Sequence, residues 1–210
     1  MNSHIKKIYS FYASIYDILF GKIFEHGRHT ALKMMDIKPN DIILEVGVGT
    51  GLSLPLYPKG TNIIGIDLSA EMLLKAKAKK MKHTLNNVHL STMDASLMAF
   101  RNNTFHKVIA SHVITVVPDP LHTLNEIKRV CKKDGDIFIL NYAGIDNQFV
   151  SQFEKIISPL RDKLGLGKHF DLEILLKQAH LTIINKHHVN IFNACQLIQC
   201  KNDTSSENIQ

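Results

Sequence analysis

Three alternating glycines near residue 50 predict a turn at which bare backbone can approach a ligand. Residues 41–51 read Asp-Ile-Ile-Leu-Glu-Val-Gly-Val-Gly-Thr-Gly, so Gly47, Gly49 and Gly51 follow a short apolar strand. Glycine adopts positive φ readily and has no Cβ to block a ligand. Glu45 falls at the carboxyl end of the strand, the edge at which open α/β sheets bind ligands. The segment therefore predicts a nucleoside-cofactor site.

A second acid supports that prediction. Residues 63–68 read Ile-Ile-Gly-Ile-Asp-Leu, a second buried strand that ends in Asp67. Asp67 comes about 20 residues after Gly47, the separation at which a second-strand carboxylate accepts hydrogen bonds from ribose hydroxyls. The glycine turn alone is a weak signal, and Asp67 makes it a specific one.

The spacing of the glycines and the acid before them distinguish between cofactors. A dinucleotide fingerprint is Gly-x-Gly-x-x-Gly, whereas this chain has Gly-x-Gly-x-Gly with Leu52 where the last glycine would stand. The carboxylate of Glu45 would repel a pyrophosphate. It suits a cationic cofactor, and S-adenosylmethionine (SAM) carries a sulfonium and an ammonium group. We therefore expect SAM, and an NAD-dependent dehydrogenase is disfavoured.

Composition and length indicate one well-buried domain in a reducing compartment. The chain has 210 residues, is 45% hydrophobic and carries a formal net charge of +6. Its three cysteines, Cys131, Cys195 and Cys200, lack metal-ligand spacing, and no metal site is expected. No apolar run approaches the ~20 residues that span a bilayer. We expect a cytoplasmic protein whose positive charge favours an anionic partner.

Alternating strand and helix patterns predict an α/β fold with a doubly wound sheet. Its strands are predicted at Asp41–Val46, Asn62–Asp67, Val88–Ser91, Lys107–His112 and Asp136–Asn141, followed by an antiparallel pair near Thr182–Val189 and Ile191–Cys200. Helices are predicted to begin near Gly51, Ser69, Pro120 and Asn147. Residues 41–200 would form this domain, after an amino-terminal helical cap at 1–40 and before a polar tail at 201–210.

The amino-terminal segment carries a broad apolar and aromatic stripe at helical spacing. The stripe consists of Ile5, Ile8, Phe11, Tyr12, Ile15, Tyr16, Leu19 and Ile23. Lys6 and Lys7 flank it. Such a helix could pack on the sheet as a lid over the cofactor, or it could dock on anionic lipid as an interfacial helix. The sequence leaves both alternatives open.

Several segments resemble the class I SAM-dependent methyltransferases and, within them, the bacterial phospholipid N-methyltransferases, which methylate phosphatidylethanolamine towards phosphatidylcholine. The matching segments are Tyr16-Asp17, Phe20-Gly21, Gly27-Arg28, residues 45–58, residues 65–73, Met93-Asp94-Ala95 and residues 116–120. The resemblance implies a Rossmann-like fold with a seven-stranded, mostly parallel sheet and helices on both faces. Residues 145–210, where the lipid would be selected, match only loosely.

The resemblance also implies roles for individual residues. The cofactor-binding set would be Glu45, Gly47, Gly49, Gly51, Asp67, Leu68, Met72, Asp94 and Ala95. Asp94 would accept a hydrogen bond from the adenine amino group; the alternative is that its side chain forms a loop turn or a helix cap. Tyr16 would hold the methylated ammonium by cation–π contact. By their positions at the ends of the fourth and fifth strands, His112 and Tyr142 could contact the cofactor or the substrate, and His112 could act as the proton acceptor. The alternative for both is a purely structural role.

Other functions share this cofactor site. A class I methyltransferase acting on a quinone precursor or another small molecule would differ only in the cap and the carboxyl-terminal region. A SAM-binding protein without activity would keep the same acids. A nucleic-acid partner is not expected, because the chain lacks the Asn/Asp-Pro-Pro-Tyr/Phe motif and a basic, aromatic strip. The expected partners are a phospholipid substrate and the inner, anionic face of the membrane, bound peripherally through the amino-terminal helix.

Overall fold

The computed structural model describes residues 24–142, 171–189 and 195–203. In chain order its helices and strands are α1 (Glu25–Met34), β1 (Ile42–Val46), β2 (Asn62–Asp67), α2 (Ala70–Lys82), β3 (Val88–Thr92), β4 (Phe105–Ser111), α3 (Pro120–Val130), β5 (Cys131–Tyr142), α4 (Leu172–Gln178), β6 (Thr182–Val189) and β7 (Cys195–Lys201).

The strands form a single sheet that confirms the predicted fold class. Across the described residues it has seven strands in the order β3-β2-β1-β4-β5-β7-β6. The first five are parallel to their neighbours, and β7 runs antiparallel to both β5 and β6. The order reverses between β1 and β4, and a crevice for a ligand lies at the carboxyl ends of strands at such a switch point.

Helices cover both faces of the sheet, as predicted. Side chains alternate along the strands, so Leu44 and Val46 of β1 face one layer while Ile43 faces the other. The first layer is formed by α3 and α4, whose Leu124 and Leu176 are fully buried. The second layer is formed by α1 and α2, which contribute buried side chains to the core shared with β5 and β7.

The prediction of a helix beginning near Gly51 is wrong. The chain forms only a three-residue 3-10 turn there, Leu54–Leu56. Pro55 and Pro58 explain the difference, since proline lacks the backbone N–H that a continuing helix needs and clashes with the preceding turn. The helix predicted at Asn147 lies outside the described residues. The helices predicted at Ser69 and Pro120 are confirmed, each with an N-cap side chain, Ser69 and Asp119.

Several predicted boundaries are also corrected. β4 starts at Phe105 and ends at Ser111, which leaves His112 outside the strand. β5 extends from Cys131 to Tyr142 and has an irregular pairing with β4 near its start. β2 and β6 have the bounds expected from their patterns.

The predicted polar tail begins too early. Lys201 is the last residue of β7, and Asn202 is buried. The Asn202 amide nitrogen donates to the backbone carbonyls of Lys128, Cys131 and Lys132, at 2.8–3.0 Å. These bonds satisfy carbonyls at the end of α3, so Asn202 belongs to the folded domain.

The described part of the predicted amino-terminal cap packs into the core. Phe24, Ala31 and Met35 are each at most 4% exposed and share a cluster with Phe138 and Leu140 of β5. Residues 1–23, which carry the apolar stripe, lie outside the described residues, so the choice between lid and interfacial helix stays open.

Gly47 should tolerate alanine less well than Gly60, although both have positive φ, +72° and +83°. Positive φ costs a non-glycine residue about 1–2 kcal/mol. A Cβ at position 47 would also collide with the side chain of Val113, whereas nothing lies within 4 Å of a Cβ at position 60. We expect Gly47→Ala to lose roughly 1–3 kcal/mol more than Gly60→Ala from overpacking, as measured by urea unfolding. Equal losses would mean that the Val113 contact relaxes without cost.

Candidate functional site

The residues expected to bind the cofactor gather at the carboxyl edge of the sheet. The glycine turn follows β1, Asp67 and Leu68 come at the end of β2, and Asp94 lies in the loop after β3. The register pairs Val46 of β1 with Ile66 of β2, so the turn and Asp67 are neighbours. The sheet therefore brings the predicted cofactor residues together at the predicted edge.

The three glycines of the turn have different structural roles. The N–H of Gly47 donates to the carbonyl of Ile66 at 2.8 Å, which anchors the turn on β2. A Cβ on Gly51 would lie 2.7 Å from Leu54 and 3.0 Å from Ala76, so this glycine permits close packing of α2. A Cβ on Gly49 would meet only the Gly47 carbonyl, at 3.9 Å. Gly49 thus presents bare backbone to open space, as a ligand-binding turn requires.

Glu45 is enclosed at the centre of the site. It is 3% exposed and accepts hydrogen bonds from the Ser53 hydroxyl at 2.5 Å and the Tyr57 hydroxyl at 3.0 Å. Burial raises the pKa of Glu45 to about 7, while the two hydrogen bonds and the positive charge of Arg28 act in the opposite direction. A buried acid that titrates near neutrality can stabilise a ligand cation strongly, because little water screens the pair.

Asp67 organises the backbone around it. Its two carboxylate oxygens accept from the N–H groups of Gly49 and Ser69, both at 2.8 Å. Burial raises the pKa of Asp67, and these backbone hydrogen bonds oppose the shift. Leu68 beside it is 73% exposed, although it is a large apolar residue. An acid next to an exposed apolar side chain fits a ribose with an adjoining flat base.

Asp94 forms the loop turn that the sequence left open as an alternative. Its Oδ1 accepts from the backbone N–H of Ser96 at 2.8 Å and from the Ser96 hydroxyl at 2.7 Å, and these bonds lower the pKa of Asp94. Asp94 is exposed, and Ala95 is half-buried. Met72 lies in the first turn of α2, where its N–H donates to the Ser69 hydroxyl. The cofactor contacts of these three residues stay predictions.

His112 lies just past β4 with a φ of +57°, and its N–H donates to the Leu140 carbonyl at 2.7 Å. Its ring centroid is 5.0 Å from that of Phe24, and both ring nitrogens are shielded from solvent. Burial lowers the pKa of His112 to about 4, and the charge of Arg28 adds to the effect. His112 is therefore neutral at physiological pH and poorly suited to hold an additional proton.

Some residues of the site were not predicted as such. Ser53 and Tyr57 had no sequence signal as partners of Glu45. Arg28 of α1 had one, the Gly27-Arg28 segment of the resemblance. Its positive charge lowers the pKa of both Glu45 and His112.

Asn141, near the end of β5, is a further unpredicted residue at this edge. It is 1% exposed, and its Oδ1 accepts from the Thr115 hydroxyl at 3.5 Å. Its Nδ2 has no hydrogen-bond partner within the described part of the chain, so it offers a donor to a ligand. Tyr142 ends β5 at the same edge. Tyr16 lies outside the described residues, and its predicted role is untested.

The site suits SAM. Glu45 provides a buried negative charge for a cationic group. The carboxylate oxygens of Asp67 now accept from backbone N–H groups, and they can also accept hydrogen bonds from ribose hydroxyls. Leu68 can cover one face of the adenine, and the open space at Gly49 admits a close approach. These four features agree with the cofactor expected from the sequence.

Comparisons with known proteins agree with this geometry. The methyltransferase-domain family matches residues 44–139. A phosphatidylethanolamine N-methyltransferase of Cereibacter sphaeroides is 36% identical over 174 residues, which cover 82% of this chain and 85% of that protein. A demethylmenaquinone methyltransferase of Bacillus cereus is 28% identical over 197 residues, 87% of this chain and 82% of that protein.

A solved structure shows the same fold with the expected cofactor. The phosphoethanolamine N-methyltransferase 2 of Haemonchus contortus, in complex with SAM, superposes with a TM-score of 0.68 at 22% identity. The match covers 86% of this chain and 43% of that one.

Affinity for SAM should increase with pH between about 5.5 and 7, because Glu45 must be ionised to stabilise a cationic group. A group with a pKa near 7 gains roughly tenfold in its ionised fraction over that interval. Isothermal titration calorimetry in buffers across this range would measure the change. Glu45→Gln should bind more weakly and lose the dependence, and a wild-type affinity independent of pH would contradict the assignment.

Asp67→Ala should weaken SAM binding by roughly tenfold or more, because the ribose loses its acceptor. Asp171→Ala is a matched control, since Asp171 also accepts from two backbone N–H groups, at the start of α4 on the domain's other layer. Calorimetry would give the dissociation constants, and circular dichroism would verify folding. An unchanged constant for Asp67→Ala would rule out its cofactor role.

Proposed function

The chain belongs to the class I SAM-dependent methyltransferases, and we propose that its methyl acceptor is the amine of phosphatidylethanolamine. The mono- and dimethyl derivatives would follow, towards phosphatidylcholine at the membrane surface. The observation that carries this proposal is the similarity to the Cereibacter phosphatidylethanolamine N-methyltransferase. That similarity covers 82% of the chain and so extends beyond the domain match at residues 44–139.

The chain's own residues would hold the cofactor and leave the acceptor side of the site open. Bound SAM supplies an electrophilic methyl group. Glu45 holds the cationic end, Asp67 the ribose, and Leu68 the base. The rigid anchoring of the glycine turn on Ile66 keeps these groups in one arrangement, so that little ordering is needed when the acceptor arrives.

The acceptor amine must be neutral to attack, and the environment of His112 favours that form. A primary amine resembling lysine has a pKa near ~10 and is mostly protonated at neutral pH. Burial and the Arg28 charge lower the pKa of His112 to about 4. An ammonium group approaching the position beside His112 would experience the same two effects, which favour release of its proton to water before the neutral amine enters. His112 then acts as a neutral neighbour of the amine rather than as the proton acceptor.

An aromatic ring beside this position would offset part of that electrostatic cost for the methylated product, which is again positively charged. Phe24 already places a ring 5.0 Å from that of His112. Cation–π contact with one ring contributes about 0.5–2 kcal/mol to holding an alkylammonium. In this proposal Tyr16 adds a second ring, and Tyr142 approaches the acceptor from the end of β5.

The proposed substrate is a membrane lipid, so the enzyme would work as a peripheral protein at the cytoplasmic face of the membrane. Among the described residues, no helix has the length and apolar character to cross a bilayer. Contact with the anionic surface would be made through the amino-terminal apolar stripe and its flanking Lys6 and Lys7.

A quinone precursor is the second candidate acceptor. The similarity to the Bacillus demethylmenaquinone methyltransferase supports it, at lower identity but over 87% of the chain. The cofactor side of the site would be the same. The two candidates differ in the atom that is methylated. A ring carbon of a quinone precursor carries no ammonium proton, so the surroundings of His112, which disfavour a positive charge, would not help its methylation.

Full-length protein should transfer labelled methyl from SAM to vesicles containing phosphatidylethanolamine, and mass analysis of extracted lipids should show mono-, di- and trimethylated species. Vesicles of phosphatidylglycerol alone, which has no amine, are the control. Demethylmenaquinone incorporated in the same vesicles tests the second candidate in one reaction. Label on the quinone and none on the lipid would replace the proposed acceptor.

A further inference from the structure

Helix α2 exposes an apolar stripe that the fold does not use. Leu74 is 65% exposed and Met81 is 79% exposed, whereas the opposite side of the helix buries Leu73 and Ala76. With Ala70 and Ala78, which are also exposed, these residues are spaced at i, i+4, i+8 and i+11. This spacing puts Ala70, Leu74, Ala78 and Met81 in one line along the outer side of the helix. We call this line the outer stripe.

Lysines border the outer stripe on both sides. At 100° per residue, Lys77 lies on one side of the stripe, and Lys75 and Lys82 lie on the other. Lys77 and Lys82 are exposed. An apolar line between two cationic borders is the pattern of a helix that lies in a membrane interface, with alkyl stems buried along the apolar groups and ammonium groups at the phosphates.

The charge of α2 is strongly asymmetric. Residues 70–82 contain five lysines, at positions 75, 77, 79, 80 and 82, and one acid, Glu71 in the first turn. Lys79 donates to the Thr50 carbonyl and so points towards the glycine turn. The exposed Lys77 and Lys82 leave the outer side of α2 cationic, which complements an anionic surface.

We propose that the outer stripe of α2, with its bordering lysines, is a docking surface for an anionic phospholipid membrane. Leu74 and Met81 enter the headgroup region, and the exposed Lys77 and Lys82 contact lipid phosphates. An apolar line through the middle of the cationic surface favours a membrane over nucleic acid, for which buried apolar contact contributes little. This surface is distinct from the amino-terminal stripe and lies wholly on described residues.

The position of α2 in the fold suggests how membrane docking would serve catalysis. The helix begins at Ala70, two residues after Leu68, at the carboxyl edge of the sheet. Docking α2 on the membrane therefore brings the edge that holds the candidate site to the lipid surface. This role in catalysis rests on the proposed function, whereas the docking of α2 on a membrane does not.

The test is co-sedimentation of full-length protein, without SAM, with phosphatidylcholine vesicles that contain or lack phosphatidylglycerol. Two double variants probe the surface: Leu74→Gln with Met81→Gln, and Lys77→Gln with Lys82→Gln. The matched control is Ile174→Gln with Lys177→Gln, which makes the same chemical changes on exposed residues of α4, on the opposite face of the sheet. All of these positions are exposed, so the variants should fold, and circular dichroism would verify this.

Both α2 variants should lose roughly tenfold or more in partitioning onto anionic vesicles, and the α4 control should bind as the wild type does. Wild-type binding by either α2 variant would overturn the proposal, as would an equal loss in the α4 control. Two further results together would also overturn the proposal and indicate nucleic acid instead. The lysines would be needed for binding to a DNA duplex, and the Leu74 and Met81 changes would leave vesicle binding unchanged.

A second measurement separates this docking from the proposed substrate. Methyl transfer to a short-chain, monomeric phosphatidylethanolamine needs no membrane, so the α2 variants should keep wild-type turnover there and lose it on vesicles. Vesicle binding that depends on α2, without methylation of either lipid form, would support the docking surface and refute the lipid acceptor. Equal losses of turnover on both lipid forms would refute the docking explanation.

Discussion

The buried carboxyl group of Glu45 is the constraint on which the site depends. A buried acid is costly unless hydrogen bonds and charge offset the loss of water. Ser53 and Tyr57 supply the hydrogen bonds from the segment after the glycine turn, and Arg28 supplies positive charge from α1. One carboxyl group at the end of β1 thereby fixes the path of residues 47–57 and ties α1 to the sheet edge. A cation bound near Glu45 would complete the compensation that these three partners begin.

The sequence predicted the parts of the fold that depend on local pattern. The bounds of β2 and β6 and the helix starts at Ser69 and Asp119 agree with the predictions, because each is set by a few neighbouring residues. The helix predicted at Gly51 does not form, because Pro55 and Pro58 interrupt the segment that follows the glycine turn. Asn202 could not be recognised as buried, since its partners are carbonyls about 70 positions earlier in the chain.

In the candidate site, too, the sequence predicts what depends on local pattern and misses what depends on contacts between distant segments. Glycines and acids at strand ends carry a local signal, so the sequence alone predicts that Glu45, Asp67 and the glycine turn lie at one edge of the sheet, where the structure places them. What each group does depends on contacts between distant segments. The position of His112 after β4 suggests a proton acceptor, yet burial, with a contribution from the charge of Arg28, lowers its pKa to about 4 and keeps the ring neutral. Arg28 is more than 80 residues away in sequence, and nothing near His112 in the chain indicates it.

Helix α2 connects the cofactor site with the surface of the molecule. Its start is set by Asp67 and Ser69, and its inner face packs so closely on Gly51 that only glycine fits there. The inner face is therefore determined by the fold. The outer stripe is under no such requirement, since polar residues at Leu74 and Met81 would leave the core packing unchanged. Core packing therefore does not explain why apolar residues are exposed between lysines. Binding to a lipid surface explains both, because apolar side chains enter the headgroup region while lysines contact phosphates.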